Sequence, residues 1–378
     1  MRSRTMVRNG IDSLRSNHFE SLRGRRVGLV TNHTGLAMDG RSTIDLLHEA
    51  GSVTLVTLFG PEHGIRGELD SKIVDGVDAR TGLPIWSLYG ERFAPEPAHL
   101  AGINTLVFDI QDVGARFYTY LSTLKNCMQA AAGTGIRFVV LDRPNPLGGE
   151  RVEGPVADQE ALSFVAVHPV PIRHGLTLGE LALMLVSDLG LNLDLHVVKV
   201  EGWRRSDTWD TTGLTWINPS PNMRSLTQAF LYPGICLIEY TNLSVGRGTD
   251  TPFEQFGAPW IDARLLSAEL NQNAPSGVRF VPVRFTPTSG PFVGQLCHGV
   301  NTIIIDRQRF TPVAVGIHII VNLHHTHPQW QIEPIDKLLV HKASMDRIRS
   351  GATAHEVTQS WLHDLESFEA RRRPFLLY

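Results

Sequence analysis

Four short apolar runs, each rich in β-branched residues and each stopping abruptly at a polar loop, constrain this chain more than any other feature. They are Val27-Gly-Leu-Val-Thr31, Val53-Thr-Leu-Val-Thr-Leu58, Ile103-Asn-Thr-Leu-Val-Phe-Asp109 and Arg137-Phe-Val-Val-Leu-Asp142. Helical stretches separate them: Ser42-Thr-Ile-Asp45 opens one that stops at Gly51, and another covers about 122–132. Near-continuous apolar strands alternating with helices are the pattern of a parallel sheet covered on both faces. The loops that follow such strands gather on one edge, the edge where open α/β sheets bind ligands. The loops starting at Asn32, Glu62, Asp109 and Asp142 are therefore expected to build one site.

The rest of the chain extends this reading. Residues 1–25 read as a short helical lead-in ending at Gly24. Thr177 and Glu180 form a capping box that opens an apolar helix through Leu189, and 195–200 fits a further strand. At Tyr232-Pro-Gly234 the pattern breaks. Short strands are expected beyond it at Val278–Val283, Asn301–Asp306 and Val315–Val321, with helices at 262–272 and 353–366. The expected fold is α/β: a Rossmann-like parallel-sheet domain over 1–229, then a smaller α+β or barrel-like domain over 230–378 that completes a cleft. A length of 378 residues suits two domains.

Composition excludes several function classes. The chain carries 35 basic and 38 acidic residues, so it has no electrostatic footprint for nucleic acid or an anionic membrane. Its three cysteines, Cys127, Cys236 and Cys297, are far apart and form no CxxC pair, which suggests neither a disulfide framework nor a zinc site. The basic N-terminus lacks an apolar core and no run reaches the length of a membrane span, so a cytoplasmic protein is expected unless a leader is missing. There is no GxGxxG after the first strand and no GxxxxGK[ST], so no nucleotide cofactor is expected. His324-His-Thr-His327 has ligand-like spacing but no carboxylate or cysteine nearby, and a surface histidine cluster at a strand end is the simpler reading. No metal is expected.

Chemistry concentrates in the strand-end loops. In Phe59-Gly-Pro-Glu-His-Gly-Ile-Arg-Gly67 a carboxylate, an imidazole and a guanidinium stand among three glycines. Asp109, Asp112, Arg116, Tyr118, Tyr120, Asp142, Arg143, Asn145, Asn242 and Arg247 add carboxylates interleaved with aromatics and arginines. A glycosidase needs a protonated carboxylic acid at the leaving oxygen and usually a second carboxylate opposite. Aromatic faces suit sugar rings and arginine forks suit a carboxylate on the ligand. By themselves the residues indicate an enzyme acting on a polar small molecule or a sugar.

Several longer segments carry a resemblance. They are Asn32-His-Thr-Gly35, Pro61-Glu-His-Gly64 with Arg66-Gly67, the whole of Asp109 to Tyr120, Leu141-Asp-Arg-Pro-Asn-Pro146, Arg173-His-Gly-Leu-Thr177, Pro219-Ser-Pro-Asn-Met223, Thr241-Asn-Leu-Ser244 and Gly246-Arg-Gly-Thr249. In these the chain resembles the NamZ-type exo-β-N-acetylmuramidases, long catalogued as a domain of unknown function. The resemblance implies release of N-acetylmuramic acid from the non-reducing end of peptidoglycan fragments. It implies Glu62 as general acid with His63 beside it, and Asp109 or Asp112 as second carboxylate unless the substrate's 2-acetamido group takes that part. It further implies Arg66, Arg116 and Arg247 as holders of the lactyl carboxylate. Asn32, His33, Tyr118, Tyr120, Asp142, Arg143, Asn145, Asn222 and Asn242 complete the expected substrate contacts. Arg224 and Tyr240 depart from the family pattern, where proline and often glycine are expected. The alternatives are another muropeptide-processing hydrolase, a deacetylase or etherase, or a non-catalytic muropeptide-binding protein.

Overall fold

The structure is a computed structural model that describes residues 6–65 and 74–378. Its strands are β1 (Arg26–Thr31), β2 (Thr54–Gly60), β3 (Gly76–Val77), β4 (Pro84–Ser87), β5 (Thr105–Asp109), β6 (Arg137–Leu141), β7 (Glu153–Val156), β8 (Pro171–Arg173), β9 (Leu195–Val198), β10 (Gln255–Ala258), β11 (Val278–Phe285) and β12 (Cys297–Ile304). A seven-stranded sheet runs in the order β3-β4-β2-β1-β5-β6-β9. All its pairings are parallel except that of β3 with β4.

Alternation along the central strands explains why they form. Leu106 and Phe108 of β5 and Phe138 and Val140 of β6 enter one apolar cluster, while Val107, Val139 and Leu141 enter a second on the opposite face. A strand buried on both faces has no polar position, so it reads as a continuous apolar run. The second cluster is closed by Ile44, Leu46 and Leu47 of the Thr43–Glu49 helix, whose N-cap Ser42 accepts from Asp45 N. The first cluster is closed by the Tyr120–Ala131 and Leu178–Leu189 helices. The chain moves outward from β1 through β2 to β4, then returns to the other side of β1 with β5. Strand order reverses at the β1–β5 boundary, the switch point of an open α/β sheet.

The remaining chain is α+β, with an antiparallel sheet ordered β10-β12-β11. Among the described residues these strands form an open sheet, not a barrel. Its apolar side chains join the cluster above the main sheet, so Val300 and Ile317 share a core with Phe108. The Leu226–Ile235 helix spans the expected division at 229/230, with Pro233 in its last turn. A proline there forfeits one intrahelical bond near the helix end, and the helix continues through it. This helix crosses the Pro312–Thr326 helix at two glycines. A Cβ on Gly234 would lie 2.1 Å from Pro312 O, and one on Gly316 2.6 Å from Gly234 O.

Two sequence expectations are corrected here. Val315–Val321 is not a strand but the centre of the Pro312–Thr326 helix, and His324 and His325 occupy its last turn. A continuous apolar run has the same composition in a buried strand and a buried helix, and Pro312 at the first helical turn was the discriminating signal. The expected helix at 353–366 is two helices, Ala354–Gln359 and Leu362–Arg372.

Candidate active site

The loops after β1, β2, β5 and β6 do lie at the carboxyl edge of one sheet, because the strands before them are parallel neighbours. After β2 the chain turns sharply at Pro61–Gly64, closed by Gly64 N donating to Pro61 O at 2.9 Å. His63 holds a left-handed backbone (φ 69°) and Gly64 follows at φ 71°. A histidine in that region costs about 1–2 kcal/mol, a strain that clusters at functional sites. The turn presents Glu62, half-buried, to two hydroxyls. Thr119 Oγ1 donates to Glu62 Oε2 at 2.5 Å. The Tyr89 hydroxyl bonds the same carboxylate, and burial together with that bond pushes the phenol's pKa up.

Beside Glu62 stands a ladder of buried polar groups. Gln111 N donates to Thr34 Oγ1, which donates to Asn32 Oδ1 at 2.6 Å. Asn32 Nδ2 donates to the Tyr120 hydroxyl at 2.9 Å, and that hydroxyl donates to Pro219 O at 2.6 Å. His33 Nε2 lies 2.6 Å from Asn218 O, which fixes the proton on that nitrogen. Burial lowers the His33 pKa, so the ring is neutral and its buried Nδ1 keeps a lone pair without a hydrogen-bond partner. Tyr118 packs edge-on against Tyr120 with centroids 5.0 Å apart, and burial raises its pKa ahead of the Asp112 and Glu62 charges. The loop 218–222 thus closes over the strand ends, with Asn222 buried in it.

Asp112 sits deeper. Its Oδ2 accepts from Gly114 N at 2.7 Å, its Oδ1 has no hydrogen-bond partner, and burial pushes its pKa up to about 7. Gly114 is required in this turn: its φ is 82° and a Cβ would lie 2.4 Å from Asn145 Oδ1. His174 Nε2 lies 3.8 Å from Asp112 Oδ2. His174 Nδ1 accepts from Leu176 N at 3.1 Å, so Nε2 carries the hydrogen. Burial, then Arg372, Arg173 and Arg116, lower the His174 pKa to about 3.

Six expected site residues are corrected to structural roles. Asp109 is fully buried, and its oxygens accept from Arg143 Nε at 2.6 Å, Arg143 Nη2 at 3.0 Å and Thr43 Oγ1 at 2.5 Å, so it has no free oxygen for a sugar. Arg143 is its partner and also donates to Leu36 O, though it still borders a cavity of about 170 Å³ with Thr34, Gln111 and Trp209. Asp142 is enclosed by Thr177 Oγ1, Gly179 N and the Tyr378 hydroxyl, and burial raises its pKa to about 6. Asn145 bonds Leu147 N and Leu176 O. Arg116 is wholly buried and donates to the carbonyls of Pro155, Val170, Leu338 and Leu339, so it cannot hold a substrate carboxylate. Asn242 pins the backbone of Gln329 and Gln331.

Arg247 is at the cleft, with Nε 2.5 Å from Glu239 Oε1 and its guanidinium 5.8 Å from the Phe253 ring centroid. Arg66 lies outside the described residues. Tyr89, Thr119 and Glu239 are the site residues missed from sequence. Tyr89 follows β4, whose four residues Pro84-Ile-Trp-Ser87 are too short to stand out as a strand, yet whose loop joins the same edge. Thr119 stood unnoticed between two conspicuous tyrosines. Among the described residues no group of three or more His, Cys, Asp or Glu is placed to hold a metal ion, and no helix is long and apolar enough to cross a membrane.

Comparison with known proteins places this chain in a family. Residues 27–227 match the family description "Exo-beta-N-acetylmuramidase NamZ, N-terminal" and residues 230–378 match "Exo-beta-N-acetylmuramidase NamZ, C-terminal". The chain is 40% identical to peptidoglycan beta-N-acetylmuramidase NamZ of Bacillus subtilis (strain 168), over 98% of this chain and 91% of that protein. A crystal structure of a DUF1343 family protein from Bacteroides fragilis NCTC 9343 superposes with a TM-score of 0.92 at 36% identity, covering 100% of both chains. A second DUF1343 structure from the same strain gives 0.79 at 30% identity, covering 98% of this chain and 99% of the other. The chain belongs to the NamZ exo-β-N-acetylmuramidase family.

Proposed function

We propose that this protein is a glycoside hydrolase that releases N-acetylmuramic acid from the non-reducing end of peptidoglycan fragments, with Glu62 as general acid. The observation that carries this is the placement of Glu62 on a strained turn at the carboxyl edge of the sheet, held by the Thr119 and Tyr89 hydroxyls and still half-open to the cleft. Two fixed hydroxyls orient a carboxyl group without neutralising it, which suits a residue that must hold and then release a proton. Protonation of the glycosidic oxygen breaks the C1–O bond, and positive charge develops at the anomeric carbon.

The nucleophile is better supplied by the substrate's 2-acetamido oxygen than by this chain. Asp109 has both oxygens occupied, Asp112 is buried and uncharged below about pH 7, and Glu239 is neutralised by Arg247. The aromatic wall of Tyr118, Tyr120 and Tyr232 lies behind the site, and His33 presents a lone pair to it. The test is cleavage of a chromogenic N-acetyl-β-muramide against the matching N-acetyl-β-glucosaminide. The muramide should be cleaved at least about tenfold faster in kcat/KM, the size of one well-made polar contact. Equal cleavage of the two, or release of acetate or lactate in place of the sugar, would contradict the proposal.

A further inference from the structure

Near the Glu62 site lies a trough of about 620 Å³ lined by Asp158, Ser163, Val165, Tyr240, Lys337 and His341. Two contacts join it to the site. Tyr89, the phenol that bonds Glu62, packs on Phe164 with ring centroids 6.1 Å apart, and the residues on either side of Phe164 line the trough. Tyr240 forms the other wall, 47% exposed and directly after Glu239. Its phenol pKa is raised by burial, by Glu239 and, less, by the charge of Glu62, which places both carboxylates near it.

The lysine and arginine side chains at this end of the cleft pair with carboxylates, Lys337 excepted. Glu333 pairs with Arg349, Lys342 Nζ pairs with Asp346 at 2.6 Å, and Asp158 accepts from Lys342 N at 2.7 Å. Arg247 is held by Glu239. Lys337 Nζ instead lies 5.0 Å from the centroid of the Tyr240 ring, and no carboxylate among the described residues lies within 4.0 Å of it. Asp336 adds a negative charge to the lining, so the trough is not a general anion trap. Selectivity for an anion has to come from a short-range contact at Lys337, whose ammonium lies over an aromatic face.

We propose that Lys337, positioned by Tyr240, reads the free carboxylate of the lactyl ether on the muramyl ring. The inference rests on the muramidase reading above and names the group that gives it substrate preference. The ether carboxylate is the one charge that distinguishes a muramyl from a glucosaminyl ring. Of the three cations expected to bind it, Arg116 is sealed among carbonyls, Arg247 already has a carboxylate partner and Arg66 lies outside the described residues.

The experiment uses two chromogenic β-muramides, one with the free lactyl carboxylate and one with that group converted to the uncharged methyl amide. Wild type should favour the free acid by about fivefold in kcat/KM, the scale of one partly exposed ion pair. Lys337→Met should erase the preference through a higher KM for the acid, leave kcat unchanged and leave amide cleavage within about twofold, and Lys337→Arg should restore the preference. A Lys337→Met enzyme that keeps the wild-type ratio, or loses equally on both substrates, would overturn the assignment. A wild type that cleaves neither muramide would overturn the muramidase reading itself, and so is a separate failure.

Discussion

Asp112 and His174 show how much chemistry a single buried contact can conceal. Burial raises the carboxyl pKa to about 7 and lowers the imidazole pKa to about 3, so at pH 5 the folded pair is uncharged, with one proton, on Asp112. In the unfolded chain at the same pH the pair also holds one proton, on the histidine. Proton counts match between about pH 4 and 6.5, and this pair adds no pH dependence to stability there. Each substitution should expose the partner. In Asp112→Asn only His174 remains, with a depressed pKa. Its stabilisation is present above about pH 6.5 and lost as pH falls, so stability should drop from pH 6.5 towards 4. In His174→Gln only Asp112 remains, with a raised pKa. Its stabilisation is present below about pH 4 and lost as pH rises through about 7, so stability should drop in the opposite direction. Urea unfolding of both variants at pH 4.5, 5.5 and 6.5 checks the two signs, and parallel curves would contradict the opposed shifts.

At the scale of elements, Arg116 is the clearest case of a residue whose sequence context misdirects. It stands in a tyrosine-rich loop after β5 and looks available to a ligand, yet it ties Pro155 and Val170 to Leu338 and Leu339 through four carbonyls. Arg116→Met should cost about 3–5 kcal/mol, since it leaves buried carbonyls unpaired, and a lower denaturation midpoint with an unchanged substrate KM just above threshold stability would distinguish this from a binding role. The same loop shows what sequence can resolve. β1, β2, β5 and β6 were legible because burial on both faces removes every polar position, and their parallel pairing placed Glu62 correctly on one edge with Asn32 and Tyr120. The division of strand-end polar residues into site and scaffold was not legible. Asp109 and Asp142 are terminal or next-to-strand carboxylates that Arg143, Thr43, Thr177 and Tyr378 enclose, and each of those four partners is distant in sequence from the carboxylate it bonds. β4 was too short to register, which hid Tyr89, and the apolar run at 315–321 satisfied strand and helix equally.

Across the whole molecule, the C-terminal part does more than cover the sheet. It shares the apolar cluster that contains Phe108 and Phe138, crosses the chain at Gly234 and Gly316, and supplies Glu239, Tyr240, Arg247 and Lys337 to one side of the cleft whose other side carries Glu62, Tyr89 and Thr119. The candidate site therefore draws on both parts, with the proposed proton donor on the parallel sheet and the proposed reader of the substrate charge on the other. The central claim is that Glu62 delivers the proton. Its most direct test is kcat/KM of Glu62→Gln on N-acetyl-β-muramides with good and poor leaving groups, with folding checked by thermal melting. The account predicts a loss of about 10²–10⁴-fold on the poor leaving group, which needs protonation, and a much smaller loss on the good one, with the melting temperature unchanged. Wild-type activity on both substrates, or an equal loss on both, would contradict it.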